Sequence, residues 1–208
     1  MQNNYDPVAS FYDPLSRLVF GRKLIQAQVA FLKCISPGSA VLIAGGGTGW
    51  ILEEITRIHQ SGLTIVYVEL SANMLKKSAE RNTGGNSVRF VESSIQDFNS
   101  ATKFDVIITS FLFDNFSAET GAFVFAHLNK MLKNNGQWLY ADFNTEKNSI
   151  IWKTLLLKSM YFFFRLFFEI EGVNPLDAQA LFVKYNFLLQ GKKNFYAGFI
   201  ESLVYQKS

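Results

Sequence analysis

A single cysteine, Cys34, in 208 residues excludes an internal disulfide and fits a reducing compartment. At the end of a predicted helix, it is expected to be a small buried hydrophobe rather than a nucleophile. Histidine occurs only at positions 59 and 127, so imidazole bases are scarce, and no metal site is expected. The balance of 20 Lys and Arg against 17 Asp and Glu gives only a mild positive excess. No block of basic residues gathers it, so nucleic acid is not indicated as a partner. No Pro-, Gly- or Ser-rich linker and no internal repeat divides the chain. The opening residues 1–21 are polar and aromatic, without a basic segment followed by an apolar one. No signal peptide is therefore expected, and a cytoplasmic location is. Asn115-Phe116-Ser117 matches a glycosylation acceptor, an empty match without secretion.

Hydrophobic residues make up 49% of the chain and charged ones 18%, the balance of a globular protein long enough for one core. Apolar positions at helical spacing run through residues 15–35 and stop at Ser36-Pro37-Gly38. Short, nearly all-apolar strands then alternate with amphipathic helices: strands at Ala40–Ala44, Thr64–Glu69, Val88–Glu92, Phe104–Ser110 and Gln137–Phe143, helices at Gly49–Gln60, Ala72–Arg81 and Ala118–Lys133. Asn134-Asn135-Gly136 is expected to cap the last of these helices. That alternation predicts a parallel sheet covered on both faces. A further helix is expected over Pro175–Tyr185. Leu188–Tyr196 and Phe199–Gln206 follow as strands separated only by Ala197-Gly198, too short for a parallel crossover, so they must form an antiparallel hairpin.

The stretch Val41–Trp50, VLIAGGGTGW, runs from a strand into glycines. Such a turn gathers backbone N–H groups and a helix N-terminus where a polar or anionic ligand can sit. A phosphate-binding P-loop would need a lysine, and none follows. The dinucleotide pattern G-x-G-x-x-G fails too, because its third glycine falls on Trp50 when counted from Gly45, and its second on Thr48 when counted from Gly46. The pattern present is Gly45-x-Gly47-x-Gly49. Glu69, at the end of the second strand, can accept two hydrogen bonds from a ribose diol, as NAD or S-adenosylmethionine would offer. The residues themselves leave those two ligands open.

Five blocks in order resemble the class I S-adenosylmethionine-dependent methyltransferases. VLIAGGGTG is similar to the first motif, VELSANML to the second, VRFVESSIQDF to the third and FDVIITSFLFDNF to the fourth. LNKMLKNNGQWLYADF resembles the turn before the fifth strand. The opening YDPVASFYDPLSRLVFGRKL is similar to the ubiquinone and menaquinone biosynthesis methyltransferase subgroup. The resemblance implies a doubly wound, Rossmann-like α/β fold. Its mostly parallel seven-stranded sheet would end in an antiparallel hairpin, with helices on both faces, in a single domain over residues 1–208. Residues 1–37 would form an N-terminal helical lid and residues 145–185 a helical cap. The implied cofactor is S-adenosyl-L-methionine, held by Tyr12, Ala44, Gly45, Gly46, Gly47, Gly49, Glu69, Leu70, Met74, Ser94, Ile95 and Ser110. Tyr12 could equally be a packing tyrosine. Two positions depart from the family pattern. Ile43 stands where the first motif carries an acid, which should weaken binding unless another group substitutes. Ser94 stands where the third block often carries an adenine-binding acid, with Asp97 three residues on.

Methyl transfer from a sulfonium needs mainly an aligned acceptor, and a base only when that acceptor must lose a proton. Asp114 after the fourth strand is the first candidate for catalysis, with Tyr12 beside it. Asp142 at the end of the fifth strand is a further group that could orient an acceptor. His59 is explained by its place at a helix C-terminus, and His127 lies mid-helix, away from the loop. The Phe-rich stretch 150–169 has its charges Lys153, Lys158, Arg165 and Glu169 within roughly 160° of one side. A buried cap, a wall around a lipophilic acceptor, and a membrane-surface or homodimer face all fit it. The expected activity is methyl transfer to a small, hydrophobic acceptor of quinone, phenol or lipid type. A catalytically silent S-adenosylmethionine-binding protein is the alternative.

Overall fold

The computed structural model describes residues 22–144 and 176–208. The chain order is α1 (Lys23–Val29), a 3-10 turn (Leu32–Cys34), β1 (Ala40–Ala44), α2 (Trp50–Ile58), β2 (Ser61–Glu69), α3 (Ala72–Ala79), β3 (Gly85–Glu92) and β4 (Phe104–Ser110). A 3-10 turn (Phe113–Asn115), α4 (Ala118–Met131), β5 (Leu132–Phe143), α5 (Ala178–Lys184), β6 (Phe187–Phe195) and β7 (Ile200–Lys207) follow.

One seven-stranded sheet holds them in the order β3-β2-β1-β4-β5-β7-β6. β1 to β5 are parallel, β7 runs antiparallel to β5, and β6 runs antiparallel to β7 on the edge. The predicted hairpin is therefore present. The strand order reverses between β1 and β4, and open α/β sheets bind ligands at such a switch point, beyond the strands' carboxyl ends.

Strand alternation divides the core in two. Leu42 and Ala44 enter a cluster with Val124, Phe125, Leu128 and Trp138, while Val41 and Ile43 enter another with Ile51, Leu52, Ile55 and Tyr67. Each fully buried large side chain contributes about 1.5–3 kcal/mol. Trp138 lies at the centre of the first cluster, stacked on Phe125 at 4.8 Å, and its indole N–H donates to Thr109 Oγ1 at 2.9 Å. Helix starts follow their capping residues: Ser71 Oγ accepts from Met74 N–H, Ser117 Oγ from Thr120 N–H, and Asp177 Oδ1 from Ala180 N–H.

Four details depart from the sequence expectations. In the described part of 15–35, the helix stops at Val29 and a separate 3-10 turn follows, because Phe31 leaves helical geometry at φ −124°. Cys34 is exposed rather than buried; Leu32 and Ile35 on either side supply the apolar contact instead. Asn134-Asn135-Gly136 does not cap a helix, for α4 ends at Met131 and Leu132 already pairs with Phe104. Residues 133–136 form an outward irregularity before Gln137 pairs with Val106, with Asn135 at φ +61°. The hairpin turn spans Tyr196–Phe199, wider than the Ala197-Gly198 pair, and Phe199 is fully buried, which anchors it. Residues 1–21 and the Phe-rich 150–169 stretch lie outside the described residues.

Candidate functional site

Beyond Ala44 the chain turns sharply. Gly45 and Gly46 N–H both donate to Val68 O, at 2.9 and 3.4 Å, tying the turn to the end of β2. Gly45, Gly47 and Gly49 adopt φ of +67°, +64° and +78°, the left-handed region where a Cβ is strained. Gly46 has a different reason to be glycine: a Cβ there would overlap the Tyr67 ring. At Gly47 an added Cβ would meet nothing within 4 Å among the described residues.

Glu69, 7% exposed, joins the loop to the next helix. Its Oε2 accepts from Gly47 N–H at 2.8 Å, and its Oε1 from Ser71 N–H at 2.9 Å. An ionised carboxylate has about four acceptor positions, the chemistry a ribose diol requires. Tyr67, two residues earlier on the same face of β2, donates from Oη to Gly47 O at 3.0 Å. Burial first, and then the Glu69 charge, push the Tyr67 phenol well above its ordinary range, which keeps it a neutral donor. Arg81 Nε donates to Thr48 O at 3.0 Å. Three side chains thus hold the loop that a first-motif acid would otherwise help to hold. Ile43 at that position is buried in the same core cluster as Tyr67.

Other residues expected to hold the cofactor gather at the same strand ends. Ala44 is fully buried, Met74 lies in the first turn of α3, and Leu70 is half-buried between them. Ser94 and Ile95 are buried just past β3. The Ser94 hydroxyl donates to Asp97 Oδ2 at 2.6 Å and accepts from Asp97 N–H at 3.1 Å, a local turn that pulls the Asp97 carboxylate in beside Ser94. Ser110 ends β4, paired with Ala141. Tyr12 lies outside the described residues.

A second group gathers past β4 and β5. The Asp114 carboxyl is held by Asn115 Nδ2 at 2.9 Å, and burial together with the nearby Asp142 charge raises it well above the usual carboxylate range. Asp142, 3% exposed, accepts from Phe143 N–H at 2.8 Å through Oδ1. Burial is the main reason its carboxyl is pushed up to about 7. The Phe143 and Phe113 N–H groups and the Tyr140 hydroxyl act against that rise, and the Glu201 charge adds to it. Glu201, missed in the sequence, faces Asp142 directly across the β5–β7 pair. Its Oε1 accepts from Gln179 Nε2 at 2.7 Å, and its Oε2 pairs with Lys192 at 2.9 Å.

The histidines stand apart. His59 Nε2 lies 3.0 Å from Leu32 O, and His127 Nε2 lies 2.6 Å from Phe98 O with its ring stacked on Phe123. Each ring is tied to a backbone carbonyl. Among the described residues, no group of three His, Cys, Asp or Glu could hold a metal, and no helix is long and apolar enough to cross a membrane.

An open sheet with its switch point at a glycine loop, an acid at the end of β2 and an antiparallel pair at the far edge defines the class I methyltransferase architecture. Residues 41–136 match a family model described as a methyltransferase domain. The ubiquinone/menaquinone biosynthesis C-methyltransferase UbiE of Stutzerimonas stutzeri (strain A1501) is 27% identical over 156 residues, covering 72% of this chain and 60% of that protein. Its counterpart in Teredinibacter turnerae (strain ATCC 39867 / T7901) is 28% identical over 163 residues, covering 74% and 64%. The chain thus spans less than two thirds of the curated relatives it matches. Among solved structures, the 1,6-didemethyltoxoflavin-N1-methyltransferase of Burkholderia thailandensis, with bound S-adenosylhomocysteine, superimposes with TM-score 0.66 at 14% identity, covering 98% of this chain and 86% of that one. An O-methyltransferase family protein from the same organism gives 0.70 at 17%, covering 100% and 64%. At those identities the structures show a shared fold. The chain thus resembles methyltransferases over residues 41–136 and shares the fold of these solved structures.

Proposed function

We propose that this chain binds S-adenosylmethionine and transfers its methyl group to a small, hydrophobic acceptor of quinone, phenol or lipid type. The observation that carries the reading is the Glu69 bridge, which joins the end of β2 to the glycine loop after β1. Glu69 would take the ribose diol, the Gly45–Gly49 loop the methionine end, and Met74, Ser94 and Ile95 the adenine, with Leu70 and Ser110 lining the cleft. The cofactor supplies a methyl group already activated on a sulfonium sulfur, so this chain's task is placement of the acceptor. Asp114 lies where an acceptor would be oriented, and Tyr12 is the candidate from the N-terminal segment. Residues 1–37 would close over the cleft as a lid, and residues 145–185 would cap it, all within one domain. The 150–169 stretch would present its apolar side to the acceptor, to a membrane surface or to a second copy. A cytoplasmic setting fits the exposed thiol of Cys34.

Both curated relatives are named as C-methyltransferases of quinone biosynthesis, which supports the acceptor class. A silent cofactor-binding protein is the second reading, favoured by Ile43 in place of the motif acid. Calorimetry with S-adenosylhomocysteine tests the binding step. Wild type is expected to bind in the micromolar range, and Glu69→Ala to bind at least tenfold more weakly, about 1.4 kcal/mol. No binding at millimolar ligand overturns the proposal, and turnover of any phenol or quinol acceptor removes the silent alternative.

A further inference from the structure

We infer that Asp142, backed by Glu201, is the group that receives the acceptor's proton, and that the atom to be methylated therefore itself carries a hydrogen, as an O–H or N–H. This rests on the cofactor reading above and deepens it.

The geometry starts from the β5–β7 register. Asp142 and Glu201 are directly opposite partners, so their side chains rise from the same face of the sheet. Both are 3% exposed. Like charges in that position destabilise a sheet, and a buried carboxylate is costly unless its oxygens are paired. Glu201 has such partners, in Gln179 from α5 and Lys192 from β6. Asp142 has half of them: Oδ1 is held by Phe143 N–H, and Oδ2 has no hydrogen-bond partner among the described residues. The groups facing it are Asp114 from the turn after β4, Tyr140 from its own strand and Glu201 from β7. The Tyr140 hydroxyl and the Phe113 N–H also approach the carboxyl, yet neither completes a hydrogen bond to Oδ2.

An acceptor O–H or N–H placed at Oδ2 completes this carboxylate. As a lone pair of the acceptor atom forms the new bond to the methyl carbon, the methyl–sulfur bond would break with its electron pair left on sulfur as a neutral thioether, and the acceptor's bond to hydrogen breaks. The electron pair stays on the acceptor atom, and the proton passes to Oδ2, leaving Asp142 as a neutral acid. The Glu201 charge, with Lys192 and Gln179 as its partners, makes Asp142 more basic, which suits a proton acceptor near neutral pH. An ester, ether or thioether acceptor without a proton has nothing to give this site.

The test uses the full chain saturated with S-adenosylhomocysteine and two probes of one shape, 1-naphthol and its methyl ether, titrated by calorimetry. Wild type is expected to bind naphthol at least tenfold more tightly than the ether. Asp142→Leu is expected to abolish that preference while its S-adenosylhomocysteine affinity stays within twofold of wild type. Asp142→Asn, which keeps an acceptor oxygen but accepts no proton at neutral pH, is expected to retain part of the binding preference. Methylation of a phenol by Asp142→Asn should fall at least a hundredfold in kcat and lose its dependence on pH between 6 and 8. Equal or absent binding of both probes in wild type overturns the inference, as does a preference that survives in Asp142→Leu. Failure of wild type to bind S-adenosylhomocysteine overturns the cofactor reading instead.

Discussion

Asp142 on β5 and Glu201 on β7 are cross-strand partners, two carboxylates buried face to face near the carboxyl end of β5. Burial and the Glu201 charge raise the Asp142 carboxyl to about 7, against about 3.9 in an unfolded chain. A raised folded-state value means that the native protein holds this proton more tightly than the unfolded chain does. The stabilisation is complete below about pH 4 and is lost as pH rises through about 7. Asp142→Asn should therefore be more stable than wild type at pH 8, by roughly 2 kcal/mol. At pH 5, about one unit above the unfolded-chain value, the difference should shrink to about a third of that. Urea denaturation at the two pH values checks it, and an equal effect at both would contradict the burial of a titrating carboxylate.

Gly46→Ala should disrupt the loop through Tyr67, since the new Cβ would overlap a fully buried ring. Overpacking of this kind costs about 1–3 kcal/mol or more. A thermal melt should show the loss, and a second substitution, Tyr67→Leu, should recover part of it. Additive effects of the two changes would mean that the overlap is relieved elsewhere.

Tyr67→Phe keeps the ring and removes only the hydroxyl that donates to Gly47 O. Stability should fall by about 1 kcal/mol. Binding of S-adenosylhomocysteine should weaken severalfold, because the loop must then be ordered at the moment of binding. Unchanged affinity in calorimetry would show that Glu69 and Arg81 hold the loop without help.

Much of this architecture is legible in the sequence because it rests on local rules. Unbroken apolar runs such as Val106–Ile108 mark strands buried on both faces, and the short spacing before β7 forces an antiparallel partner. Gly45-x-Gly47-x-Gly49 is readable because left-handed backbone positions select glycine. Glu69 is readable because the carboxyl end of β2 borders the switch point. Tyr67 carries a signal that a period-of-two reading from Glu69 would have found. Cys34 misleads, since the apolar spacing that suggests a continuous helix breaks at Phe31 and turns the thiol outward.

What the sequence by itself determined is the alternation of strand and helix, the glycine turn and its acid, and the direction of the last two strands, all set by side-chain period and backbone conformation. Only the tertiary structure decided which groups far apart in the chain meet. Tyr67 and Arg81 take over the support of a loop whose motif position is held by Ile43, and Glu201 arrives opposite Asp142 from 59 residues along the chain. Such meetings depend on sheet order and register, and an individual side chain carries no local mark of the partner that register will bring to it.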